Sequence, residues 1–340
     1  MANIFNSVQI TNFKSLKDVT LSDCKRINLL IGKPNVGKSN ILEAIGLFSI
    51  PCFRYNKSQS LTQFVRYENL PELFFDGNVS EEISVKADDG SYCKAIYSER
   101  DGSVSCLINN KVSGDRDVVF IVSDDNCIEN DSPISLLKSL PPKAKFYKFS
   151  QNPSLGKSNI FIQYLLPPYG INIFEVLQAF KVVKKDLANI FSDYGLKLLF
   201  DKSEYALKVM KNLDEDNIIS FPYTSIADTL QRLIFFKAAI ASNQDSILLF
   251  EEPEAHCFPP YIRQITQDII DSETNQFFIA THSPYVLNDF LEYERNDVAI
   301  FIANFKNGET VIRRLTDEEV NDVYQYGIDL FFNHELFTDD

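Results

Sequence analysis

Apolar and polar positions alternate through residues 3 to 31, and turn-prone breaks at Asn12 and at Leu21-Ser22-Asp23 divide the stretch into three predicted short strands. The last of these, Ile27-Asn28-Leu29-Leu30-Ile31, is followed by Asn40-Ile41-Leu42-Glu43-Ala44-Ile45-Gly46-Leu47-Phe48, whose apolar spacing predicts a helix. From about 80 to 122 strands return, at Ile83-Ser84-Val85, Tyr92 to Tyr97, Val104 to Ile108 and Val118 to Val122. Asp-Gly turns at Asp89-Gly90 and Asp101-Gly102 make that stretch an antiparallel meander. The polar segment from Ser123 to Pro142 reads as loops with a short helix, and Tyr147 to Pro168 as irregular chain. After Pro167-Pro168-Tyr169-Gly170, residues Ile171 to Phe191 carry apolar positions at helical spacing and predict one substantial helix.

The last third alternates. Thr229 to Ala241, Pro260 to Ser272 and Tyr285 to Leu291 read as helices, while Ser246 to Phe250, Gln276 to Ala280 and Val298 to Phe305 read as strands. Such alternation implies a parallel sheet with covering helices. The stretch from Gly327 to Phe337 is apolar and reads as a helical terminus. Neither an internal repeat nor a sustained heptad is present, which excludes long coiled-coil arms.

Between the third strand and the first helix lies Gly32-Lys33-Pro34-Asn35-Val36-Gly37-Lys38-Ser39, a complete phosphate-binding loop. Two glycines let the backbone curl so that successive N–H groups face a phosphate, and the helix that follows presents its positive N-terminus. Asn35, Gly37, Lys38, Ser39 and the adjoining Asn40 are therefore the candidate nucleotide contacts, with Lys38 reaching the β- and γ-phosphates and Ser39 ligating Mg²⁺. The expected ligands are ATP and Mg²⁺.

Turnover needs a second strand that ends in acids. Ser246-Ile247-Leu248-Leu249-Phe250-Glu251-Glu252-Pro253 is such a strand, and at its C-terminal end it would border the phosphate crevice of a parallel sheet. Glu251 is the candidate for the magnesium shell and Glu252 for the general base or water-orienting group. A further strand, Phe277-Phe278-Ile279-Ala280, ends in Thr281-His282-Ser283-Pro284, which makes His282 a candidate donor to the γ-phosphate.

Composition narrows the remaining choices. A net charge of -14 over 340 residues argues against a surface that coats nucleic acid by electrostatics alone, although local basic clusters occur at Lys143, Lys145 and Lys148, at Lys181, Lys184 and Lys185, and at Arg313 with Arg314. The six cysteines (Cys24, Cys52, Cys93, Cys106, Cys127, Cys257) show no metal spacing and no disulfide framework, and read as reduced thiols. With no basic leader followed by an apolar core, and no apolar run long enough to span a bilayer, a cytoplasmic protein without membrane contact is expected.

Four phrases in order, Ile10-Thr11-Asn12-Phe13-Lys14-Ser15-Leu16, the phosphate loop through Asn40, Phe250-Glu251-Glu252-Pro253-Glu254-Ala255-His256-Cys257-Phe258-Pro259 and Thr281-His282-Ser283-Pro284, resemble the ABC-type ATPases of the OLD, RecF and SMC kind. The resemblance implies an α/β fold, a single ABC-type P-loop ATPase head over 1–340 with a mixed or parallel core sheet. Within it, 1–50 would hold the N-terminal strands and phosphate loop, 80–122 an antiparallel β lobe, 170–245 a helical lobe with a signature-like loop, 246–305 the acidic strand and histidine switch, and 306–340 a helical tail. It also implies that two heads meet around ATP, with a signature loop matched here by Ser225-Ile226-Ala227-Asp228-Thr229-Leu230-Gln231-Arg232. Read on its own, that stretch is a helix start with Ser225 as N-cap and Asp228 completing a capping box. Ala227 and Thr229 stand where the family has glycines, and Glu251 where it has aspartate. Gln63 is the match for a metal-side glutamine.

OLD-type proteins often continue into a Toprim nuclease, for which the stretch after Phe305 is short. The expectation is thus a slowly hydrolysing homo-oligomeric ATPase that senses a phage protein or DNA trigger and controls a separate nuclease or toxin effector in anti-phage defence, similar to PARIS- and Septu-like ATPases. The alternatives are a RecF-like DNA-repair or loading ATPase and an ATP-locked scaffold that never turns over.

Overall fold

The computed structural model describes residues 4–55, 60–111, 117–133, 141–151, 164–214, 217–333 and 337. The short helix expected before Pro142 lies largely outside them. Two compact units are present, one formed by residues 1–146, 245–252 and 274–340, the other by 147–244 and 253–273.

Strands β1 (Val8–Phe13), β2 (Leu16–Leu21) and β3 (Ile27–Ile31) open the first unit, as the alternation predicts. The turn between β1 and β2 sits at Lys14-Ser15 rather than at Asn12, whose positive φ of 56° lies inside β1 and whose side chain donates to the Asn78 and Glu81 carbonyls. The meander β4 (Ile83–Ala87), β5 (Tyr92–Ser98), β6 (Ser103–Asn109) and β7 (Val118–Val122) continues into a short β8 (Ile128–Asn130) in the segment read as loops. These strands and the first hairpin form one seven-stranded sheet in the order β2-β1-β4-β5-β6-β7-β8, antiparallel throughout.

The second sheet of this unit runs β16-β15-β3-β14-β13-β9, with β9 at Ala144–Tyr147, β13 at Ile247–Glu251, β14 at Gln276–Ala280, β15 at Val298–Lys306 and β16 at Glu309–Arg314. β13, β14, β3 and β15 are parallel and β16 returns antiparallel, so the sheet is mixed. Every residue of β3 and β14 is buried, which is why both read as nearly continuous apolar runs. The exception in β3, Asn28, is fully buried and satisfied: its amide donates to the Lys25 and Phe277 carbonyls and its oxygen accepts from the Lys25 N–H. Helix α1 (Lys38–Gly46) contacts β1 of one sheet and β13 and β14 of the other, joining both into one hydrophobic core.

In the second unit the single helix expected over 171–191 is two, α2 (Ile173–Ala179) and α3 (Lys181–Asp193). Phe180, at ψ 89°, breaks it. The region expected to be helical also holds an antiparallel sheet of β10 (Leu196–Asp201), β11 (Ala206–Asn212) and β12 (Ile218–Pro222). Alternation in Leu207-Lys208-Val209-Met210 was its signal; β12, exposed along its whole length, carries none. Helices α4 (Asp228–Ala241) and α5 (Pro259–Asp271) pack together and are tied by Lys237 to Asp268 at 2.8 Å.

Helix α6 (Pro284–Tyr293) lies in the first unit, and the C-terminal stretch expected to be helical opens instead with β16, followed by α7 (Asp317–Tyr326) and a short α8 (Leu330–Asn333). Thr316 and Glu319 form a capping box at the start of α7, and Gly327 closes it at φ 61°. Among the described residues no helix is long and apolar enough to cross a membrane.

Phe278, fully buried in β14, belongs to the core shared by both sheets. Phe278→Ala is expected to destabilise the fold by about 3–5 kcal/mol, through lost burial and the cavity left behind. A shift of the urea transition to lower concentration measures it.

Candidate nucleotide site

Register decides what meets at the cavity. Ala280 on β14 pairs with Leu30 on β3 and with Glu251 on β13, so three parallel strands end at one level. The chain leaving β3 forms the phosphate loop, the chain leaving β13 carries Glu252, and the chain leaving β14 carries His282. A cavity of about 400 Å³ lies there, lined by Asn35, Gly37, Lys38, Ser39, Asn40, Glu251, Glu252 and His282 together with Ser15, Pro34, Arg66 and Ala280. Such a crevice at the carboxyl ends of parallel strands is where α/β sheets bind ligands.

The loop's shape is enforced locally. Gly32 has φ 155°, and a side chain there would run into the Ala303 carbonyl oxygen. Gly37 caps α1 in the left-handed region at φ 99°, and a Cβ would overlap the Thr310 hydroxyl and come within 2.9 Å of Ser15 Oγ. Those two hydroxyls are 2.7 Å apart, Ser15 Oγ also accepts from Asn40 Nδ2 at 2.7 Å, and the Thr310 N–H donates to the Ser15 carbonyl. The β1–β2 turn and β16 therefore brace the loop from below. Thr310 and the bracing role of Ser15 escaped sequence reasoning, because the contact spans most of the chain.

Lys38 folds back over the loop. Its Nζ donates to the Gly32 and Lys33 carbonyls, each at 2.7 Å, and the residue is 6% exposed. Burial lowers the ammonium to about 8, with Glu252 and Glu251 pulling the other way. Glu251 ends β13 and accepts from Arg66 Nη2 at 2.7 Å. Glu252 lies beyond the strand at φ 43°, a strained position for a side-chain-bearing residue, and its N–H donates to the Ala280 carbonyl. His282 Nε2 is 3.7 Å from Glu252 Oε1. Burial first, then the Lys38 charge, holds this imidazole below its ordinary value against the pull of Glu252, so it is neutral at pH 7.

The oxygen donors Ser39 and Glu251 fit a hard cation such as Mg²⁺, which takes few protein ligands and fills its shell with water and phosphate. Among the described residues no group of three or more His, Cys, Asp or Glu converges to hold a metal unaided.

Two candidates fall elsewhere. Gln63 ends a one-turn 3₁₀ helix at Leu61–Gln63 and does not line the cavity; Arg66, three residues on, does. Ser225 belongs to the second unit, exposed on a 3₁₀ turn, and it is not the N-cap of α4. That position is Ala227, without a side-chain cap, because the chain extends again at Ile226. Nor does Asp228 complete a capping box; its carboxylate accepts from Arg232 and Gln151. Ser225 lines a mainly apolar cavity of about 510 Å³ with Tyr194, Phe221, Phe258 and Tyr261 among its walls. Of the basic clusters, Lys143, Lys145, Arg313 and Arg314 are engaged within the protein, with Asp89, Ser246, Glu319 and Asp317 respectively.

Comparison with known proteins bears on the fold and on family likeness. Residues 138–288 match the family described as "AAA domain, putative AbiEii toxin, Type IV TA system". A stretch of 76 residues, 22% of the chain, is 36% identical to the DNA replication and repair protein RecF of Clostridioides difficile (strain 630). Another of 96 residues is 25% identical to an uncharacterized protein of Methanocaldococcus jannaschii. These matches span 19% and 41% of the relatives' own lengths. The fold is SMC head-like. An SMC head solved with the C-terminal winged-helix domain of ScpA superposes with TM-score 0.54 at 16% identity, over 93% of this chain and 99% of the other. An SMC head with an extended coiled coil, solved with the C-terminal domain of ScpA from Pyrococcus furiosus, gives 0.53 at 13% identity over 95% and 98%.

The lowered Lys38 value fixes the sign of a pH effect. Below about 8 the ammonium is already present for a triphosphate; above it the ligand must draw in a proton on binding. Affinity for a fluorescent triphosphate analogue is expected to fall above pH 8, by at most about tenfold per unit. Lys38→Arg, which keeps its charge, should remove that slope.

Proposed function

We propose that the protein is a slow Mg²⁺-dependent ATPase whose heads assemble around ATP and pass the nucleotide state to a separate effector. The observation that carries the reading is the convergence of Lys38, Glu251, Glu252 and His282 on one cavity beside the phosphate loop. The loop N–H groups and the N-terminus of α1 hold the β-phosphate, and Lys38 moves from the Gly32 and Lys33 carbonyls to the phosphate oxygens. The cation, held by Ser39 and Glu251, would neutralise charge on the β- and γ-phosphates. Glu252 orients the attacking water and takes its proton as the water oxygen bonds to the γ-phosphorus and the bridging oxygen leaves with ADP. Neutral His282 donates a hydrogen bond to the γ-phosphate and loses it when phosphate departs. Glu251 in place of a shorter aspartate favours slow turnover.

Assembly through Ser225 of a second copy, and control of a nuclease or toxin after a phage protein or DNA trigger, are the parts of the proposal supported by the OLD-type motifs. The toxin–antitoxin description of the matched family and the ScpA domains bound by the SMC heads support a head that works through a partner protein. The cytoplasm is the compartment this reading requires. The RecF match favours a second reading, in which duplex DNA is the regulator and stimulates turnover.

Phosphate release is expected from wild type, with Glu252→Gln at least about a hundredfold slower but still binding ATP, and with Lys38→Ala losing both. Equal rates in wild type and Glu252→Gln would remove the catalytic role of Glu252. Repeating the assay with duplex DNA separates the two regulators.

A further inference from the structure

Arg66 divides its guanidinium between two carboxylates. Nε donates to Glu43 Oε1 at 2.9 Å, and Nη2 donates to Glu251 Oε1 at 2.7 Å. The two ends are held unequally. Glu43 lies on α1, four residues beyond Ser39, and its side chain has no solvent exposure; Lys14 pairs with its other oxygen, and the Arg66 backbone N–H reaches Oε1 at 3.3 Å. Taking a cation away from a carboxylate buried to that extent leaves a poorly compensated charge in the interior, which is costly. Glu251 is 19% exposed, stands at the cavity, and receives Arg66 through one outer nitrogen. Breaking that contact leaves a carboxylate that water can reach, whereas breaking the Glu43 contact leaves a buried one.

We propose that Arg66 is a tethered stand-in for the divalent cation. This inference rests on the Mg²⁺·ATP reading of the cavity. Nη2 neutralises Glu251, and loading the cation requires that nitrogen to leave. Guanidinium and metal carry like charge and compete for one carboxylate, so free cation gains little by binding alone. A cation arriving with a triphosphate differs, because the phosphate oxygens offer the displaced Nη2 a new partner while Nε remains on Glu43. The site thereby prefers the cation–nucleotide complex over the bare cation. Glu43 is the positioning residue, and Arg66 supplies the competing charge.

Mn²⁺ titrated into the nucleotide-free full chain, followed by water-proton relaxation, tests the competition directly. Arg66→Ala is expected to bind Mn²⁺ about fivefold more tightly than wild type, Arg66→Lys to fall between them, and Arg66→Ala combined with Glu251→Gln to lose the gain. Lys14 stays on Glu43 in every variant, and Arg66→Lys, which keeps a second cation for that carboxylate, controls for any loss of folding in Arg66→Ala. Mn²⁺ binding no tighter in Arg66→Ala than in wild type, or a gain that survives Glu251→Gln, would overturn the proposal. The nucleotide reading is checked separately by triphosphate-analogue binding in wild type and Lys38→Ala, so the two can fail independently.

Discussion

Parallel pairing of three buried strands is the constraint on which the site depends. β3, β14 and β13 contribute almost nothing polar to their interior, and their hydrogen-bond register places Leu30, Ala280 and Glu251 side by side. A parallel ladder has no hairpin to set its register, so burial on both faces must hold it. Packing of α1 against both sheets supplies that burial from one face. With the strand ends level, the loop, the two glutamates and the histidine need no further device to meet.

Charge balance explains the arrangement inside the cavity. Lys38 and Arg66 oppose Glu251 and Glu252, and each cation has local oxygens: loop carbonyls for Lys38, carboxylates for Arg66. A triphosphate with its metal would exchange these contacts rather than create charge interactions from nothing, which limits the reorganisation that binding demands. The bracing hydroxyls of Ser15 and Thr310 add a mechanical link, since the close approach at Gly37 leaves no room for the loop to settle toward β16.

The second unit follows other rules. Its sheet is small, and β12 leaves apolar side chains such as Ile218 and Ile219 exposed. Its helices α2 and α3 are separated at Phe180, whose ψ of 89° leaves the helical region. Ser225 precedes a helix that has no side-chain cap, so the capping motif was a coincidence of residue types: Asp228 is used by Arg232 and Gln151 instead.

By itself the sequence determined the alternating last third, the meander, the phosphate loop and the acidic strand end, because each is written in contiguous residues whose periodicity or spacing has one physical meaning. Only the tertiary structure decided that the meander and the first hairpin are a single sheet, that Arg66 rather than Gln63 faces the cavity, and that Thr310 lies beneath Gly37. Those facts depend on residues far apart in the chain being brought within a few ångströms by core packing. No local pattern records such a contact; it exists only once the apolar faces have chosen their partners.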